Sequence, residues 1–175
     1  LSREYYPKQF LALHSRQPML METIKRVSKE DGFEPPTIIC NQAHRFLVAQ
    51  CFCHEGVKPR AIFLEPCARN TAPAVAVAAI DIARVDPDGL MLVMPSDHVI
   101  TELGVFQNAV RSGYAAASND FIITFGIDAQ KPETGYGYIK KGDALRCYDG
   151  VYEIEKFVEK PDQKTAEKYI SQGGF

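Results

Sequence analysis

The fold is decided by residues 37–85, which have the sequence TIICNQAHRFLVAQCFCHEGVKPRAIFLEPCARNTAPAVAVAAIDIARV. Two short apolar runs, 37–40 and 61–64, stand between turn-forming residues and predict buried strands. The segment 42–55, closed by a glycine, predicts a helix between them. A second helix is predicted over 71–85, because Asn70 or Thr71 can cap it and a proline is tolerated in a first turn. This alternation of strand and helix predicts a parallel sheet covered by helices.

The same alternation continues on both sides of this stretch. Leu20, Ile24 and Val27 share one face of an amphipathic helix. The further predicted elements are helix 18–31, strand 90–94, helix 105–118 and strand 121–127. Together they predict an α/β fold with a mostly parallel central sheet and helices on both of its faces.

The alternation of predicted strands and helices ends after residue 127. Strands are predicted over 136–141 and 151–158 with no helix between them, which indicates a small antiparallel insertion. A last helix, 165–172, is ended by Gly173 and Gly174.

The composition excludes several classes of protein. The 175 residues carry 20 basic and 22 acidic side chains without a run of lysine or arginine, which argues against nucleic-acid binding. The longest apolar run, 72–80, is too short to span a bilayer. The length suffices for one domain with a core of its own.

The cysteines and the first residues of the chain indicate the cellular compartment of the protein. Five cysteines without a regular framework favour reduced thiols and hence the cytoplasm. The first residues contain no apolar segment of the kind found in a signal peptide. The sequence leaves a homo-oligomeric state open.

Two predicted strands end in polar loops on the same edge of the sheet, where open α/β sheets bind ligands. Glu65 ends the strand 61–64, and a carboxylate there can accept hydrogen bonds from the two neighbouring donors of guanine. Asp97 follows the strand 90–94, and Mg²⁺ is typically held by one or two carboxylates together with substrate phosphates. Each acid has an alternative interpretation, a solvated strand end for Glu65 and a turn residue for Asp97.

A third polar strand end is formed by Glu159, Lys160 and Pro161. A lysine at this position can hold a phosphate as a point charge. Adjacent strand residues face opposite ways, so Glu159 and Lys160 can meet one ligand only if the chain bends before Pro161. The alternative is an ordinary charged strand end. Gly137, at the start of strand 136–141, can admit close approach to the backbone.

Five segments in order resemble the bacterial mannose-1-phosphate guanylyltransferases, a family of sugar-phosphate nucleotidyltransferases. The segments are residues 1–10 (LSREYYPKQF), 65–73 (EPCARNTAP), 94–100 (MPSDHVI), 125–139 with its PETGYGYI motif, and 157–162 (FVEKPD). The resemblance implies a Rossmann-like α/β/α sandwich over residues 1–175. It also implies transfer of GMP from GTP to mannose 1-phosphate with Mg²⁺, in GDP-mannose and polysaccharide biosynthesis.

The resemblance also implies roles for individual residues. Lys8, and more weakly Arg3, would contact the nucleotide phosphates, and Asp97 would bind Mg²⁺. Glu65 would recognise guanine, with the neighbouring nucleotide-binding residues Arg69, Asn70 and Thr71. Gly137 and Glu159 would hold the sugar, and Lys160 would hold its phosphate. Lys8, Asp97 and Lys160 are thus the expected catalytic residues.

The family pattern differs from this chain in two respects. Its glycine-rich phosphate loop precedes the position of Leu1 and its sequence continues past Phe175, so we expect residues 1–175 alone to be catalytically poor. Ala68 stands where the family usually has glycine, which predicts an adjusted loop if that position needs a positive φ. The alternatives are a nucleotide-binding fragment without catalysis and a nucleotidyltransferase for another sugar 1-phosphate.

Overall fold

A parallel pair of strands lies at the centre of the first part of the molecule. The computed structural model describes residues 6–174. Strand β1 (Thr37–Asn41) pairs in parallel with β2 (Ala61–Glu65), so that Asn41 lies opposite Glu65. The helix that joins them, which we call α2 (Arg45–Glu55), ends at Gly56 in the left-handed conformation with φ 65°. The predicted strand–helix–strand arrangement is confirmed, and it puts Glu65 at the carboxyl end of β2.

The core of this part is built by four buried apolar side chains. They are Phe10, Leu20, Val48 and Phe52, and they pack against apolar side chains of both strands. Leu20 belongs to helix α1 (Met19–Ile24), and Phe10 ends a short 3₁₀ turn, Lys8–Phe10. Burial of Phe10 therefore fixes the backbone that carries Lys8.

Helix α1 is shorter than the predicted helix 18–31. After Ile24 the chain makes a turn and begins a separate 3₁₀ turn at Lys29–Asp31. The Ser28 hydroxyl and backbone N–H both donate to the Asp31 carboxylate, at 2.8 and 3.1 Å. This local cap competes with helix continuation, which is the physical reason for the break.

Helix α3 (Thr71–Ala83) begins where the sequence predicted, but without the predicted cap. Asn70 occupies the capping position with φ 62° and ψ −172°, and its side chain makes no capping hydrogen bond. A capping residue normally has extended backbone, which aims its side chain at the first N–H groups of the helix. The positive φ of Asn70 removes that geometry.

The strands predicted over 90–94 and 121–127 are wrong. Neither segment takes part in a hydrogen-bonded ladder, and the described strands form two sheets of two strands each. An apolar run sets a preference for extended backbone, whereas a strand also requires a partner with free backbone groups.

An antiparallel hairpin forms the centre of the second part. Strands β3 (Gly137–Ala144) and β4 (Tyr152–Glu159) pair antiparallel, as predicted, and the register places Gly137 opposite Glu159. Helix α4 (Leu103–Ala117) precedes them. Helix α5 (Gln163–Gln172) follows, capped by Asp162, whose carboxylate accepts from the Thr165 N–H at 2.8 Å. The α/β class with a parallel sheet and a small antiparallel sheet is thus confirmed.

The chain divides into two units, Leu1–Leu103 and Gly104–Phe175. The first contains β1, β2 and the first three helices, and the second contains the hairpin, α5 and all of α4 except its first residue. The assignment of all 175 residues to one catalytic domain stays a prediction. Over residues 6–174, no helix combines the length and the apolar character needed to cross a membrane.

Candidate active site

Two residues predicted to act near the reacting phosphates are in direct contact. Lys8 Nζ lies 2.8 Å from Asp97 Oδ2, and the side chains are 47% and 37% exposed. The hydrogen bond from Lys8 lowers the pKa of the Asp97 carboxyl, and this effect outweighs the opposing effect of partial burial. His98 Nε2, at 4.0 Å from Oδ1, adds to the lowering when it is charged. Asp97 is therefore an ionised carboxylate beside a cation, at a surface open to ligands.

Lys8 is held in place from both sides. Pro7 and Phe10 are buried, and Phe10 is part of the core. The 3₁₀ turn leaves the lysine side chain between them exposed. Local packing thus presents the ammonium group to solvent and to Asp97.

The Asp97 loop is contacted by a residue that sequence reasoning missed. Arg26 lies just after α1 with only 5% of its surface exposed, and its Nη2 donates to the His98 carbonyl oxygen at 2.5 Å. Burial lowers the pKa of Arg26, and the nearby negative charge of Glu22 partly offsets this. The contact spans 72 positions of sequence, so neither helical periodicity nor any motif pointed to it.

The side chains around Asp97 suit a metal ion that takes one carboxylate from the described residues and its other ligands from elsewhere. Over the described residues 6–174, no three or more His, Cys, Asp or Glu side chains are grouped so that they could hold an ion. A single carboxylate suits Mg²⁺ when phosphate oxygens and water complete its six ligands. Asp97 therefore fits an ion that arrives with a phosphorylated ligand. Its role as a metal ligand stays a prediction.

Glu65 is half-buried at the carboxyl end of β2. Its negative charge, after burial, is the second cause that raises the pKa of the Cys40 thiol on the neighbouring strand. A partly buried carboxylate at a strand end can accept paired donors from a planar base without competition from bulk water on every side. Whether Glu65 and Asp97 share one ligand stays a prediction.

The loop that follows Glu65 contains a strained residue. Arg69, Asn70 and Thr71 are exposed. The Asn70 backbone, at φ 62° and ψ −172°, lies in a region that is populated almost only by glycine and costs about 1–3 kcal/mol. Such strain is concentrated at ligand-binding loops. Ala68 is not among the described non-glycine residues with positive φ, so alanine is accommodated there without that cost.

The third predicted site has the bend on which its interpretation depended. Lys160 has φ 44°, and its N–H donates to the Tyr136 carbonyl at 3.2 Å. Lys160 Nζ consequently lies 3.5 Å from Glu159 Oε1, although adjacent residues of a regular strand face opposite ways. The structure therefore brings the carboxylate and the ammonium group to one place.

Gly137 adjoins this pair, because it lies opposite Glu159 in the ladder. A Cβ atom on Gly137 would lie 2.6 Å from Phe157 Cζ and 3.1 Å from Glu159 Oε2. Glycine at this position thus makes room for the Phe157 ring and the Glu159 carboxylate. Of the predicted site residues, Arg3 lies outside the described residues.

The comparisons with known proteins agree with the fold and with the family resemblance. Residues 1–175 match the family model described as nucleotidyl transferase. The chain therefore belongs to the nucleotidyltransferase family, and the resemblance stated from its five segments is confirmed.

Three relatives show which members of the nucleotidyltransferase family this chain is similar to. The xanthan biosynthesis protein XanB of Xanthomonas campestris is 49% identical over the whole chain, which covers 36% of that protein. The alginate biosynthesis protein AlgA of Pseudomonas aeruginosa is 43% identical with the same coverage. A mannose-1-phosphate guanylyltransferase of Klebsiella pneumoniae is 46% identical over the whole chain and 37% of its own length.

A solved structure supports the same grouping. The protein described as mannose-1-phosphate geranyltransferase from Thermus thermophilus superposes with a TM-score of 0.83 at 30% identity. The match covers 99% of this chain and 49% of that one. The chain thus spans about half of that structure and just over a third of the curated relatives.

Proposed function

We propose that this chain is part of an enzyme that transfers GMP from GTP to mannose 1-phosphate, forming GDP-mannose and pyrophosphate. The observation that carries the proposal is the contact of Lys8 with ionised Asp97. It places a cation beside a carboxylate that fits a metal ion accompanied by phosphates. The family assignment supplies the reaction class, and the names of the relatives supply the sugar.

The reaction requires a phosphate oxygen of mannose 1-phosphate to attack the α-phosphorus of GTP. A new P–O bond forms there as the bond to the pyrophosphate leaving group breaks. Lys8 is suited to contact the triphosphate, because its ammonium group is exposed and held by buried neighbours. Bound Mg²⁺ would supply charge neutralisation at the phosphate oxygens, with Asp97 as its protein ligand. The chain contributes mainly positioning and electrostatic stabilisation.

Base recognition is assigned to Glu65 and the loop after it. A half-buried carboxylate can accept from the ring N–H and the exocyclic amine of guanine, whereas adenine presents no such pair of donors. Arg69, Asn70 and Thr71 extend the nucleotide site, together with Arg3. This assignment supports GTP as the nucleotide.

Sugar-phosphate recognition is assigned to the end of β4. Lys160 holds the phosphate of mannose 1-phosphate, while Glu159 accepts hydrogen bonds from sugar hydroxyl groups beside Gly137. The support is the bend at Lys160, which brings its ammonium group to within 3.5 Å of the Glu159 carboxylate. We assign the activity to the cytoplasm, because the cysteines favour a reducing compartment.

The test is release of pyrophosphate by the full-length protein with Mg²⁺, GTP and mannose 1-phosphate. We expect turnover with this pair, a strong preference over ATP, and loss of activity in Asp97→Asn. Activity with another sugar 1-phosphate in place of mannose 1-phosphate would keep the class and correct the sugar. Binding of GTP without any pyrophosphate release would favour a binding module and overturn the proposal.

A further inference from the structure

The Asp97 loop, residues 95–100, receives little support from backbone hydrogen bonds. Residues 95–100 belong to no helix or strand, and no backbone–backbone hydrogen bond joins them to another part of residues 6–174. A loop without such bonds is located by side-chain contacts. Among the contacts that the described residues make with this loop are the ion pair from Lys8 to Asp97 and the hydrogen bond from Arg26 to the His98 carbonyl.

The two contacts differ in environment. Lys8 is about half exposed, so its ion pair is open to water and salt. Arg26 is buried at 5% exposure, and its hydrogen bond at 2.5 Å is charge-assisted. Such a bond is stronger than a neutral one and is little screened in a buried setting. Arg26 therefore holds the backbone at His98, one residue from Asp97, from a less exposed position than that of Lys8.

We propose that Arg26 is a positioning residue that fixes the Asp97 carboxylate for a metal ion bound with nucleotide phosphates. Arg26 acts through its hydrogen bond to the His98 carbonyl. This inference rests on the proposed function. Groups that orient a metal ligand typically contribute 10–100-fold to metal affinity.

The variant Arg26→Met removes the donor and keeps an unbranched side chain in the site. Arg26→Lys keeps the charge but lacks the planar fork of donors. Thr23→Val is the matched control, because Thr23 is a buried residue of α1 and its hydroxyl donates within the helix, to the Met19 carbonyl at 2.9 Å. It changes a buried side chain three positions from Arg26, and the hydrogen bond that it removes does not involve the Asp97 loop.

The first measurement is Mn²⁺ affinity by electron paramagnetic resonance, on the full-length protein with saturating GTP and no sugar phosphate. We expect Arg26→Met to weaken Mn²⁺ binding about tenfold or more. Arg26→Lys should be intermediate and Thr23→Val unchanged. The affinity for guanosine without metal should stay within about twofold in all three.

The second measurement is amide hydrogen exchange of residues 96–100 without metal or nucleotide. We expect faster exchange in Arg26→Met than in wild type, with no such change in Thr23→Val. This readout uses the unliganded protein and so does not depend on the reaction. If Arg26→Met does not fold, the intermediate variant Arg26→Lys decides the question by the same two measurements.

Unchanged Mn²⁺ affinity and unchanged exchange in folded Arg26 variants would overturn the role of Arg26 and leave the proposed function standing. Absence of GTP-dependent Mn²⁺ binding in the wild type would overturn both. Equal weakening of Mn²⁺ binding in Thr23→Val would reduce Arg26 to a packing residue.

Discussion

The ammonium group of Lys8 contacts the Asp97 carboxylate at 2.8 Å, joining two residues that lie far apart in the sequence. The protein thus supplies its own cation to the carboxylate that we assign to metal binding. In the proposed function, a divalent ion would bind at Asp97 and Lys8 would then contact the accompanying phosphates. The same two side chains thus interact with each other in the free protein and with the metal ion and phosphates in the proposed liganded state.

Replacing Lys8 by Met should raise the pKa of Asp97 toward the ordinary value for aspartate. The folded-state pKa is lowered, so the pair stabilises the fold above the unfolded-state pKa, near 4, and this contribution is lost as pH falls through the lower folded value. Carboxyl-carbon NMR titration measures the shift, and urea unfolding between about pH 2 and 7 measures the altered pH dependence. Because both groups are substantially exposed, 1 M salt should reduce the difference.

The control is Lys25→Met, which removes a different ion pair of the same unit, Lys25–Glu55 at 2.6 Å. It should leave the Asp97 titration as in wild type. An Asp97 pKa that does not move in Lys8→Met would show that the contact is absent in solution.

Replacing Glu65 by Gln should reduce the preference for GTP over ATP by about 10–100-fold. The amide can accept only one of the two guanine donors, and it leaves the other mispaired in a half-buried site. Competition between the two nucleotides in the full-length enzyme measures the ratio. Glu102→Gln, the same change at an exposed position, is the control. Equal competition in the wild type would remove the guanine-binding role from Glu65.

Replacing Asn70 by Gly should stabilise the fold by about 1 kcal/mol and weaken nucleotide binding. Glycine adopts φ 62° and ψ −172° without the strain that asparagine bears, while the amide side chain is lost from the nucleotide loop. Urea unfolding and GTP titration measure the two effects.

Asp120→Gly is the matched control, since Asp120 also has a positive φ of 65° but lies outside the nucleotide loop. It should gain stability without loss of GTP affinity. A less stable Asn70→Gly protein would contradict the strain interpretation.

Replacing Lys160 by Ala should lower turnover with the sugar phosphate by about 10²–10³-fold, as is typical when one preorganised electrostatic group is lost. Lys160→Gly removes the same charge but also relieves the backbone strain at φ 44°, which lysine and alanine both bear. We expect both variants to be equally impaired and the glycine variant to be the more thermally stable. Recovery of activity in Lys160→Gly alone would assign the defect to the backbone, and normal kinetics in both would exclude Lys160 from the site.

Local order was predictable because it depends on short-range preferences. The runs around Ile38 and Ile62, the glycine at 56 and the turn residues flanking them suffice for β1, α2 and β2. The same holds for the hairpin, where two predicted strands without an intervening helix pair antiparallel. The strand predictions for 90–94 and 121–127 were wrong for the same reason. A hydrogen-bonded ladder requires a second strand, and no local pattern specifies that partner.

Sequence alone determined which residues carry suitable chemistry, because carboxylates and lysines at strand ends follow from the order of residues along the chain. Only the tertiary structure decided which of them meet. The pairing of Lys8 with Asp97, the bend that joins Glu159 to Lys160, and the reach of buried Arg26 to His98 all depend on through-space contacts. A one-dimensional pattern reports distance along the chain, whereas electrostatic and hydrogen-bond energies depend on distance in space.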